Sequence, residues 1–137
     1  MRYYLDTNML VFILLHHSDD IHYGVADLLA DYANTFHTSS VALSELLFLH
    51  KIGKVETPFP NVKELLGGIN QAGIEIVYFN KYHFNTYQNL QIVNGHKDMN
   101  DHAIIAQAIS DKIPLISSDH VFQHYIPQGL DFVFNKR

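Results

Sequence analysis

Asp98-Met-Asn-Asp-His-Ala-Ile-Ile-Ala-Gln-Ala-Ile-Ser110, followed by Ile113-Pro-Leu-Ile-Ser117, is the stretch that decides the fold. The first segment reads as a helix that Asp98 can cap, the second as a short buried strand. Working outward, Arg2 to Leu5 reads as another buried strand, and Asp6-Thr7-Asn8 offers capping oxygens for a helix from Met9 to about His16. That helix is apolar nearly all round, which implies burial on more than one side or a partner surface. Asp19-Asp20 is expected to cap a helix through Tyr32, with Val25, Leu28, Leu29 and Tyr32 on one face. Thr35 to Thr38 is a strand, and Ser39-Ser40 starts a helix that Gly53 ends. Glu56-Thr-Pro-Phe-Pro60 is a loop, because two prolines bar helix and central strand alike. Asn61 caps a helix ending at Gly73, Ile74 to Phe79 is a strand, and Tyr82 to Val93 is a helix stopped by Asn94-Gly95. A turn at Pro127-Gln-Gly129 leads to a last strand, Leu130 to Phe134. Strands alternating with helices predict an α/β fold, a mainly parallel sheet flanked by helices.

At 137 residues and 47% hydrophobic composition the chain is expected to form one domain, residues 1–137, with a sizeable core. It has no cysteine, which excludes disulfides, thiolate zinc sites and a cysteine nucleophile. No apolar run is long enough for a bilayer or a signal peptide, so the cytoplasm is the expected location and no membrane partner is expected. The net charge of −5 argues against gripping nucleic acid by bulk electrostatics. It leaves room for a nuclease, because acids that bind cations count fully against the sum. The ten histidines form no motif, and the i, i+4 pair His120 and His124 reads as surface coincidence.

Four acids stand where chemistry would need them: Asp6 and Asp119 after strands, Asp101 at a helix start, and Glu45 inside a helix. In parallel sheets ligands bind beyond the carboxyl ends of the strands, where Asp6 and Asp119 fall. Taken singly, Asp6 and Asp119 fit helix or turn caps, and Asp101 fits the third residue behind an Asp98 cap. Glu45 does not, because its neighbours three and four residues away are Val41, Ala42, Phe48 and Leu49. A carboxylate along such a stripe needs a cation, a partner or a wet cleft. Gathered together, the four would form an all-oxygen site suited to Mg²⁺ or Mn²⁺ rather than zinc.

These residues sit in motifs, Leu5-Asp-Thr-Asn8, Ser44-Glu-Leu46, Asp98-Met-Asn-Asp101-His-Ala-Ile-Ile-Ala-Gln-Ala108 and Leu115-Ile-Ser-Ser-Asp119-His-Val-Phe122. In this order the chain resembles PIN-domain proteins, and among them the VapC-type toxins of type II toxin–antitoxin pairs. The resemblance runs over nearly the whole chain. It implies a three-layer α/β/α sandwich and a Mg²⁺- or Mn²⁺-dependent endoribonuclease. Asp6, Glu45, Asp101 and Asp119 would be the catalytic and metal-site acids, with Asn8, Asp98 and Ser117 at the pocket rim. It further implies an RNA substrate, a homodimer, and a protein antitoxin lying in an apolar groove near the site. Met9 to Leu15 with Leu46 and Leu47 is a candidate for that surface, with ordinary core as the alternative. Where the family commonly has Asp-Pro-x-Asp-Arg, this chain has Asp98-Met-Asn-Asp101-His102. A permanent cation beside the acids is thereby replaced by a histidine only partly charged near neutrality.

Other readings are a housekeeping PIN nuclease without antitoxin, a non-catalytic PIN-like binding module, and an aspartyl-phosphate phosphotransferase of the haloacid-dehalogenase kind. The last wants a second aspartate two residues after Asp6, where Asn8 stands.

Overall fold

A computed structural model describes residues 1–137. Five strands, β1 (Arg2–Leu5), β2 (Thr35–Ser39), β3 (Ile74–Val77), β4 (Leu115–Ser117) and β5 (Phe132–Phe134), form one sheet in the order β3-β2-β1-β4-β5. Every pairing is parallel, and β1 lies at the centre with Leu5 opposite Thr38 on one side and Ile116 on the other. Successive β1 side chains point to opposite faces, as the pleat requires. Tyr3 and Leu5 pack with Met9, Leu10, Phe12, Val25, Leu46, Leu65 and Ile69. Tyr4 joins Ile104, Ile105, Ala108, Phe122 and Tyr125 on the other face. Helices α1 (Thr7–Leu14), α2 (Tyr23–Ala30), α3 (Ser40–Lys51) and α4 (Val62–Gln71) supply the first layer, with Ala42 of α3 reaching round to the second. Helices α5 (Lys81–Asn89) and α6 (Met99–Asp111) pack together, and α6 covers the opposite face. The result is an α/β/α sandwich.

Several boundaries differ from the expectation, each for a local reason. The α1 helix starts at Thr7 because Asp6 is its cap, accepting from the Met9 amide at 2.9 Å. Its Met9, Leu10, Phe12 and Leu14 are buried, so this helix is core. Asp19-Asp20 forms a 3₁₀ turn, Ser18–Asp20, and His22 caps α2 instead through its Nδ1. The α2 helix ends at Ala30, which leaves Tyr32 in solvent rather than on the buried face. The α5 helix stops at Asn89, since Leu90 turns extended and the Gln91 amide and carbonyl bond the Gln128 side chain. An unforeseen 3₁₀ segment, His120–Gln128, precedes β5 and ends at Gly129, whose φ of 107° suits a residue without a Cβ. The strands β3, β4 and β5 are each shorter than expected.

The chain builds β1, β2 and β3 outward in one direction, then crosses back to place β4 on the other side of β1. Loops leaving β1 and β4 therefore diverge, and a crevice opens between them at the carboxyl edge of the sheet.

At the other end of α6, Asp111 fastens the sandwich. It accepts from the Tyr4 hydroxyl and sits 2.9 Å from the buried His83 ring, while Gln107 links the Tyr4 oxygen to the Val77 carbonyl. Burial and the bond to Asp111 push the Tyr4 phenol well above its ordinary range. Removing the acceptor strands two buried polar groups. Asp111→Ala is expected to lower unfolding free energy by about 1–3 kcal/mol in urea denaturation. The loss should stay at this end of α6, since ten helical residues, about 15 Å, separate Asp111 from Asp101.

Candidate functional site

Asp6 is the deepest of the four acids, at 4% exposure, and closes β1. Its Oδ1 accepts from the Met9 amide, and its Oδ2 accepts from the hydroxyl of Ser117, the last residue of β4. The same Ser117 oxygen accepts from the Asp119 amide at 3.0 Å, so one hydroxyl sets the spacing of both strand-end acids. Asp119 caps the 3₁₀ segment through the Val121 amide. Asp101 is the third residue of α6, its amide held by the Asp98 cap, and its Oδ2 lies 3.0 Å from His96 Nε2. Glu45, on α3, accepts from the Asn100 side chain at 3.1 Å. Cap and pocket acid are therefore not alternatives, because Asp6 and Asp119 are both.

All four line one recess of about 30 Å³, together with Thr7, Asn8 and Phe122. That space holds a water or an ion but no nucleotide. Of the residues expected at the rim, Asn8 is exposed at the recess. Ser117 is fully buried behind Asp6, because it is spent in joining β1 to β4. Asp98 caps α6 from the exposed side and does not line the recess.

Two expectations are corrected. Glu45 does not lie along a fully buried stripe: Ala42 is buried, but Phe48 is 58% exposed and Val41 and Leu49 are only half-buried, so Glu45 is itself half-buried at the edge of the recess. His102 does not stand beside the acids in place of arginine. It is buried against the Tyr125 hydroxyl at 3.1 Å, with burial and then the neighbouring His96 pulling its pKa down. Consecutive helical residues diverge by about 100°, so Asp101 and His102 leave α6 in different directions.

Sequence reading missed His96 and Asn100, which hold Asp101 and Glu45, and also Asn135. Fully buried, Asn135 donates to the Ser118 hydroxyl and the Asp20 carbonyl and accepts from the His22 amide, pinning the loop that carries Asp119. Asn100 and Asn135 act on segments far away in the chain, whereas His96 acts across five residues from a turn that carries no motif.

The acids are electrostatically linked. Burial, then the Asp101 and Asp119 charges, push the Asp6 carboxyl up to about 7 against the bonds from Ser117 and Met9. Burial raises Asp101 to about 6, with Asp98 and Glu45 adding to it and His96 opposing. No lysine or arginine pairs with any of the four. The donor set fits a hard divalent cation: four carboxylates, a buried Thr7 hydroxyl with no hydrogen-bond partner, and no lysine or arginine to compete. No three acidic or histidine side chains are already arranged to grip an ion.

The PIN domain family pattern matches residues 3–126. Among solved structures, the chain is similar to VapBC2 from Rickettsia felis, determined bound to a promoter DNA fragment. The two are 25% identical over 99% of this chain and 100% of that one, with a TM-score of 0.65. DNA-bound VapBC from Salmonella typhimurium shares the fold at 16% identity and TM-score 0.65, covering 98% of each chain. VapBC-1 from nontypeable Haemophilus influenzae does so at 19% and 0.64, again over 98% of each. No curated protein matches the sequence.

A buried carboxyl raised above its unfolded value stabilises the fold only at low pH, and that advantage is lost as pH rises from about 4 to about 7. With chelator at pH 8, Asp6→Asn should therefore be more stable than wild type by about 1–3 kcal/mol of unfolding free energy and unfold at a higher temperature. The amide can still accept from Met9. At pH 4 the difference should vanish. Differential scanning calorimetry at the two pH values checks both outcomes.

Proposed function

The chain belongs to the PIN-domain family, and from that premise we propose that it is a divalent-metal-dependent endoribonuclease with Asp6, Glu45, Asp101 and Asp119 as its cation-binding acids. The observation that carries this reading is the meeting of four carboxylates, from four separate elements, in one recess at the switch point of a parallel sheet. Burial and mutual repulsion push the Asp6 and Asp101 carboxyls up, and the one basic side chain that opposes the shift is His96, at Asp101. A bound Mg²⁺ or Mn²⁺ would supply a Lewis acid for the phosphate and a water activated for in-line attack.

The protein's own residues account for the rest. Ser117 and the Met9 amide hold Asp6 in one rotamer, and the Asp119 cap holds that acid facing the same recess. The recess is too small for a base or a sugar, so the phosphodiester must lie across its mouth. The exposed Asn8 amide stands there, with N–H groups able to donate to phosphate oxygens. RNA substrate and Mg²⁺ or Mn²⁺ as cofactor follow from the family reading joined to this donor set.

The VapBC likeness supports a toxin role, with a protein antitoxin as partner. The surface for it differs from the α1-centred one expected, since α1 and Leu46 are core. A groove of about 560 Å³ lies instead between α3 and α4, walled by Leu47, Phe48, Phe59, Val62 and Leu65. Ser44, beside Glu45, lines its near end, so an apolar segment seated there would reach toward the acids. Phe59 packs so tightly over Gly68 that a Cβ there would overlap its ring.

Incubation of RNA with the protein and Mg²⁺ or Mn²⁺ tests the activity. Wild type should cleave, chelator should stop it, and Asp6→Asn and Asp101→Asn should each lose at least about a hundredfold in rate, a barrier change of about 3 kcal/mol. Equal rates in all three proteins contradict the proposal.

A further inference from the structure

Behind the recess runs a chain of hydrogen bonds that the four acids do not explain. His96 Nε2 lies 3.0 Å from Asp101 Oδ2, His96 Nδ1 lies 2.8 Å from the Tyr125 hydroxyl, and His102 Nε2 lies 3.1 Å from that same hydroxyl. Tyr125 is fully buried, and the His96 ring packs edge-on against both Tyr125 and His102. An ionised Asp101 can only accept, so His96 donates from Nε2, and its Nδ1 must then accept. Tyr125 has one proton to give, to His96, and in turn accepts from His102 Nε2. With Asp101 ionised, the three bonds run in one direction, from His102 through Tyr125 and His96 to the acid. Asp101 Oδ2 is held at the end of the series, Oδ1 takes no protein donor, and the residue lines the recess.

We propose that His96 is the positioning residue for Asp101, fixing its rotamer so that Oδ1 is presented to the cation, with Tyr125 and His102 fixing the tautomer of His96. The inference rests on the metal-site reading above. His96 thus takes the place beside the acid where an arginine was looked for at position 102. Partners that orient a ligand from behind typically matter ten- to a hundredfold in metal affinity.

Two measurements test it. In ¹⁵N-labelled wild type at pH 8, long-range imidazole spectra should show His96 as the Nε2–H tautomer, and the Nδ1–H tautomer overturns the assignment. Calorimetric Mn²⁺ titration should show His96→Leu binding about ten- to a hundredfold more weakly than wild type. His96→Gln, which keeps a donor on a side chain of similar reach, should recover most of that loss. Melting temperatures of the three proteins separate positioning from folding, because a merely structural role would lower stability in both variants without a Gln rescue of affinity. Wild type that binds no Mn²⁺ overturns the metal-site reading and this proposal together. Wild type that binds, beside a folded His96→Leu that binds equally well, overturns the role of His96 alone.

Discussion

The hydroxyl of Ser117 donating to Asp6 is the contact on which the site depends. It joins the ends of β1 and β4, neighbours in the sheet although more than a hundred residues apart in the chain. Through the Asp119 amide it also sets where the second strand-end acid stands. A carboxylate so deeply buried is costly, and burial pushes its pKa up for the same reason. The fold accepts the cost by surrounding Asp6 with two good donors and by opening a recess at its edge. Stability is given up where a bound ion would return it, a pattern common to functional sites.

Much of this was legible in the sequence because it is local. Arg2–Leu5 and Leu115–Ser117 are apolar runs that end in polar capping residues, so strand, cap and turn are specified within a few positions. The rule that ligands sit at the carboxyl ends of parallel strands then places Asp6 and Asp119 at one edge of the sheet. Asp98 capping α6 follows from the same local chemistry.

What was not legible depends on which side of an element faces its neighbours and on how turns fold over it. Glu45 looked stranded because its helical neighbours are apolar, yet composition along a helix does not say which of those neighbours face solvent, and Phe48 does. His102 follows Asp101 in sequence but leaves the helix on another side, toward Tyr125. His96 comes from a turn with no motif and acquires its role only when that turn folds over the start of α6. The 3₁₀ segment at His120–Gln128, with a proline inside, carries no periodic signal that would reveal it.

The central claim is that the recess of Asp6, Glu45, Asp101 and Asp119 holds a divalent cation. Crystals grown with Mn²⁺ and measured for anomalous scattering test it most directly. The account predicts a peak inside this recess, with oxygens of Asp6 and at least one other of these acids about 2.1 Å away. An empty recess, or a peak bound only elsewhere on the surface, would contradict it.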